Sequence, residues 1–66
     1  MVHIRRYTGR GSTVTDYVLK EAEAVAQDAW NKRCLVVDEA THTPVLQGTA
    51  LVDQATYTLV PPIAGG

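Results

Sequence analysis

The sequence predicts an α+β fold in which one helix packs on one face of a small sheet. Two observations lead to this prediction. A single stretch with helical apolar spacing lies near the middle of the chain, and short stretches with strand character lie before and after it. Strands on both sides of one helix form a two-layer domain. Sixty-six residues, 45% of them hydrophobic, have the size and composition of one globular domain.

The first predicted strand covers 2–7, VHIRRY. Val2 and Ile4 alternate with polar or amphipathic residues, and this period of two is typical of a half-buried strand. A turn is predicted at 8–11, because Gly9 and Gly11 are free to take positive φ.

The helix is predicted within 12–32. Thr13 is a suitable N-cap, and Asp16 follows three residues later, close to a capping-box pattern. The alanine-rich apolar stripe comprises Val18, Ala22, Val25 and Ala29, broadened by Leu19, Ala26 and Trp30. Two alternatives for a second strand stay open. Either it is a stub near Gly11–Thr13, or the helix starts later, at Thr15 or Asp16.

The second half of the chain is predicted to be mainly extended. Its elements are a buried strand at 34–37, a loop at 38–44, short extended pieces at 45–48 and 49–52, a turn at 53–55 and a strand at 56–60. Pro61 and Pro62 follow the last strand, lack backbone N–H groups and favour an extended backbone. We therefore expect the residues after them to project from the body of the domain.

The charge balance and the cysteine count exclude several classes of protein. Six basic and seven acidic residues give a net charge of −1, without the basic excess of a nucleic-acid-binding protein. No apolar run approaches the ~20 residues of a membrane helix, and the N-terminus does not resemble a secretory signal. Cys34 is the only cysteine, so it has no internal disulfide partner. These features predict a cytoplasmic protein without membrane or nucleic-acid partners.

Two stretches of the sequence resemble the ubiquitin-like sulfur-carrier family, which includes the thiamine-biosynthesis sulfur carrier and the small subunit of molybdopterin synthase. They are STVTDYVLKEA at 12–22 and LVDQATYTLVPPIAGG at 51–66. The resemblance implies a β-grasp domain over 1–62, with a mixed sheet, one packed helix and a shortened N-terminal hairpin, followed by a flexible reactive tail at 63–66. One departure is the family's Asp-Gly-Asp turn, which reads Asp-Gln-Ala at 53–55 here.

By this resemblance, the chemistry belongs to the C-terminal carboxylate of Gly66. A ubiquitin-activating-type enzyme would adenylate it with ATP and Mg²⁺. Sulfur from a sulfurtransferase or cysteine desulfurase would then give a thiocarboxylate that donates sulfur to a synthase making molybdopterin or thiamine. The tail that enters the activating enzyme would comprise Pro61, Pro62, Ile63, Ala64 and Gly65. The chain itself would bind no cofactor and would be a non-catalytic carrier, or the small subunit of a synthase.

Two other readings of the sequence stay open. A prokaryotic ubiquitin-like modifier would join Gly66 to lysines of target proteins, and a β-grasp interaction module, such as a phage tail-assembly factor, would have a passive tail. Candidate residues for a docking surface are Leu35, Leu59 and Ile63. Cys34 is expected to pack in the core rather than relay a persulfide. No metal site is predicted, because His3 and His42 have no ligands at metal-binding spacing around them.

Overall fold

The computed structural model describes residues 1–62. Within that range the elements are β1 (Val2–Thr8), β2 (Gly11–Tyr17), α1 (Leu19–Asn31), β3 (Leu35–Asp38), β4 (Thr43–Pro44) and β5 (Thr56–Val60). The strands form one mixed sheet in the order β2-β1-β5-β3-β4. Strand β1 runs parallel to β5, and the other neighbours are antiparallel. The predicted α+β fold is confirmed, and its topology is compatible with a β-grasp.

The N-terminal hairpin is longer than the sequence predicts. Strand β2 has seven residues and pairs with β1 along its whole length, so it is neither a stub nor part of the helix. The prediction that Thr13 caps the helix is wrong, as is a start at Thr15 or Asp16. The helix begins at Leu19, after an extended Val18 whose side chain makes no capping bond. The β-branched residues of this segment favour a strand, and pairing with β1 outweighs the capping pattern.

The C-terminal end of α1 closes with a Schellman motif. The N–H of Arg33 donates to the carbonyl of Trp30 at 2.9 Å, and the N–H of Cys34 donates to the carbonyl of Ala29 at 2.9 Å. Arg33 has a φ of 63°, in the left-handed region where such motifs usually place glycine. This turn reverses the chain immediately before β3.

The core lies between α1 and one face of the sheet. Its buried apolar residues are Val2, Ile4, Ala22, Ala26, Ala29, Val36, Leu51 and Tyr57. The helix contributes only alanines to this set, so its backbone lies close to the sheet. Val25 and Trp30 of the predicted stripe are half-buried against the core, whereas Val18 is 47% exposed and Leu19 is 38% exposed.

The second half of the chain follows the prediction at its ends and departs from it in the middle. Strand β5 has the predicted bounds, and β3 is shifted by one residue. Strand β4 lies inside the predicted loop at 38–44, and the segment 45–52 contains no strand. The turn at 53–55 is present, with Gln54 at a φ of 71°. Among residues 1–62, no helix is long and apolar enough to cross a membrane.

Candidate functional site

The strand that leads to the predicted tail lies in the middle of the sheet. Strand β5 pairs with β1 on one side and with β3 on the other. Its last residue, Val60, is followed by Pro61 and Pro62, which are both exposed. The chain therefore leaves the sheet from its centre. Four of the predicted site residues, Ile63, Ala64, Gly65 and Gly66, lie outside the part of the chain that the structure describes.

An apolar row crosses three strands at the end of the sheet from which the chain leaves. Leu35 of β3 pairs with Val60 of β5. On the other side of β5, Arg6 of β1 pairs with Leu59, and Tyr7 is the next residue of β1. Side chains alternate between faces along a strand, so Tyr7, Val60 and Leu35 share the face opposite the helix. Tyr7 is 61% exposed and Leu35 is 55% exposed. We call these three residues the exit row.

A polar cluster lies beside the exit row on the same face, centred on Glu39. The guanidinium of Arg5 donates to Glu39 Oε2 at 2.9 Å, and the hydroxyl of Thr58 donates to the same oxygen at 2.6 Å. The hydrogen bond from Thr58 and then that from Arg5 hold the pKa of Glu39 below its ordinary value. The hydrogen bond to Glu39 and the charge of its carboxylate raise the pKa of Arg5. Both side chains are therefore charged at neutral pH.

Tyr7 and Val60 of the exit row, together with the polar cluster, line one shallow depression of about 320 Å³ on the open face. Tyr7 and Val60 form its apolar side, and Arg5, Glu39 and His42 form its polar side. An apolar patch beside a fixed ion pair can give a partner both contact area and orientation. The open face thus carries an exposed apolar patch beside a fixed ion pair, close to the point where the chain leaves the sheet.

The sheet separates the two predicted docking residues. Leu59 pairs with the fully buried Val36, faces the helix and packs against the core, whereas Leu35 lies on the open face. On the helix side, Leu59 and Pro61 line a second groove of about 250 Å³, together with Cys34. Leu35 and Leu59 therefore cannot contribute to one continuous patch on a single face of the sheet.

The remaining candidate residues have ordinary structural contacts. Cys34 is half-buried and packs against the core. His3 contacts the carboxylate of Asp16 across the β1–β2 pair. His42 occupies a tight turn with a φ of 57°. Over residues 1–62, no three His, Cys, Asp or Glu side chains are grouped as metal ligands.

Sequence reasoning missed two members of the exit row and the centre of the polar cluster. The alternation of β1 places Tyr7 on the face opposite Ile4, so its position could have been read from the sequence. The pairing of β3 with β5 could not, and this pairing brings Val60 beside Leu35 and Thr58 close to Glu39.

Comparison of the chain with protein-family models, with curated proteins and with solved structures found no match.

Proposed function

We propose that this chain is a sulfur carrier whose terminal Gly66 is adenylated and converted to a thiocarboxylate. The observation that carries the proposal is the sequence PPIAGG directly after the central strand of a fold compatible with a β-grasp. A glycine pair lacks Cβ atoms and can enter a narrow channel, and prolines reduce the entropy lost when the tail is captured. Both properties suit a carboxylate that has to reach another protein's active site.

The proposed chemistry requires an activating enzyme. The carboxylate of Gly66 attacks the α-phosphorus of ATP, which releases pyrophosphate and leaves an acyl-adenylate. A sulfide-level nucleophile then attacks the acyl carbon and displaces AMP, which leaves a thiocarboxylate. The carrier supplies no acid or base in either step.

The exit row supplies the docking surface in this proposal. Leu35 and Tyr7 are large, exposed and apolar, and they flank the strand that leads to the tail. An enzyme that covers this row holds the start of the tail at a fixed point. The ion pair of Arg5 and Glu39 then restricts the orientation in which the enzyme docks.

The test is the intact mass of the protein isolated from its own organism, or co-expressed with the genes that neighbour its own. A sulfur carrier gains the mass difference between one sulfur and one oxygen atom, and tandem mass spectrometry locates that difference at Gly66. An alkylating reagent specific for thiocarboxylates traps the same position. The matched control is a chain lacking Gly65 and Gly66, which acquires neither change.

Two results would reject the proposal. Adducts that join Gly66 to lysines of other proteins would identify a ubiquitin-like modifier instead. A mature protein that continues beyond Gly66, or one that keeps its function without the glycine pair, would exclude both activities and favour an interaction module.

A further inference from the structure

The two edges of the sheet differ in how well they are protected. Strand β4 has two residues, one of them Pro44, and a short strand that contains proline is a poor template for another strand. Strand β2 has seven residues, pairs with β1 without a bulge, and contains neither proline nor lysine. Over residues 1–62, β1 is its only strand partner. Its outer edge thus lacks the short length, bulge, proline and lysine that usually prevent another strand from pairing with an edge.

The backbone groups on the outer edge of β2 can be identified from the register. The N–H of His3 donates to the carbonyl of Ala55 at 3.0 Å, so it points away from β2. His3 is paired with Asp16, and antiparallel partners either exchange both hydrogen bonds or neither. Asp16 therefore directs its N–H and C=O groups outward. By alternation, Val14 and Ser12 do the same.

The sequence of β2 is nearly symmetric about Val14. Threonines flank it on both sides, and beyond them lie Ser12 and Asp16. An antiparallel copy centred on Val14 sets Val14 against its own twin and Ser12 against Asp16. Every residue in those pairs directs its backbone groups outward, so each pair exchanges both hydrogen bonds. This register also keeps the two Asp16 carboxylates from facing each other.

Side chains complete the match between two such strands. The Ser12 hydroxyl accepts a hydrogen bond from Arg5 at 3.1 Å and keeps its own proton to donate to the partner's Asp16. That carboxylate contacts His3 within its own chain. Val14 is 43% exposed, and its twin would cover part of that apolar surface.

We propose that two copies of this chain associate through antiparallel β2–β2 pairing centred on Val14, which joins their sheets into one continuous sheet. The arrangement is a two-fold symmetric contact in which each surface meets itself. The inference is independent of the function proposed for Gly66. A single strand pair buries less area than a stable dimer requires, so the association is weak, with a Kd between about 1 μM and 1 mM.

The test combines charge variants with sedimentation velocity over a range of concentrations. In Val14→Lys and Val14→Glu, like charges meet at the two-fold axis, and each variant alone should dimerise at least roughly tenfold more weakly. An equimolar mixture of the two should restore the dimer, because opposite charges then face each other. The matched control is Leu46→Lys, at a loop residue that is 79% exposed, and it should dimerise like the wild type.

An NMR dilution series of the unmodified chain provides a measurement that does not depend on variants. The amide signals of Ser12, Val14 and Asp16 should shift with concentration more than those of Thr13 and Thr15, which bond to β1. A wild-type chain that remains monomeric at about 1 mM overturns the proposal. So does a mixture of the two charge variants that stays monomeric, or a β2 edge that binds only extended peptides of another protein.

Discussion

Replacing Leu35 with alanine tests whether the exit row docks an activating enzyme. Leu35 is 55% exposed in the free chain. Fully burying a leucine contributes about 1.5–3 kcal/mol, so covering the exposed part contributes about 1–1.5 kcal/mol, most of which alanine loses. This loss corresponds to a rise in KM for the carrier of about five- to tenfold. The kcat should hardly change, since Leu35 takes no part in the chemistry.

The assay is pyrophosphate release by an adenylating enzyme of the ubiquitin-activating type from the same organism, measured at varied carrier concentration. Leu46→Ala is the matched control, because Leu46 is 79% exposed and lies in the loop after β4. Both variants should unfold within about 0.5 kcal/mol of the wild type, since both side chains are largely solvated. Equal KM values for the two variants would refute a docking role for the exit row. A wild-type chain that is no substrate would refute the carrier function itself.

Three further predictions concern the fold. In urea unfolding, Glu39→Gln should lose less stability than the wild type as the pH falls. The lowered pKa of Glu39 contributes stability above its unfolded pKa, and this contribution is lost as the pH falls through the folded pKa. An equal loss of unfolding free energy at acid pH in both chains would contradict this. Ile4→Ala, at a fully buried site, should cost about 2–5 kcal/mol of the roughly 3–10 kcal/mol available to a chain of this size, and thermal unfolding measures it. Gln54→Gly should raise the free energy of unfolding by about 0.5–1 kcal/mol, because the φ of 71° strains a side-chain-bearing residue, while Gln54→Ala should bring no gain.

The sequence predicted correctly those elements in which the spacing of apolar residues agrees with the strand pairing of the folded sheet. Strand β5 matches its prediction because Tyr57 and Leu59 face the helix while threonines alternate with them. The start of the helix was wrong because the spacing of Thr13 and Asp16 imitates a cap. That segment instead satisfies its backbone groups by pairing with β1, which is a tertiary effect that no short window contains.

The candidate site was predicted only in part, for a related reason. Exposure of Leu35 depends on which face of β3 the helix covers, and the apolar run at 34–37 has no alternation to indicate it. The sequence did predict that the last strand ends just before Pro61 and Pro62, whereas the predicted tail lies outside the described residues. It could not identify the cluster of Arg5, Glu39 and Thr58, whose members come from three strands or their ends.

The central position of β5 has a mechanical consequence. A force that pulls Pro61 along the strand axis loads the hydrogen bonds to β1 and to β3 in shear, so many bonds bear the load together. A force along β4 would instead load only the few bonds that join it to β3. Resistance to forced unfolding is set by the rate of unfolding under load. An enzyme that draws the end of this chain into a channel would therefore pull on a strand that is hydrogen-bonded on both sides.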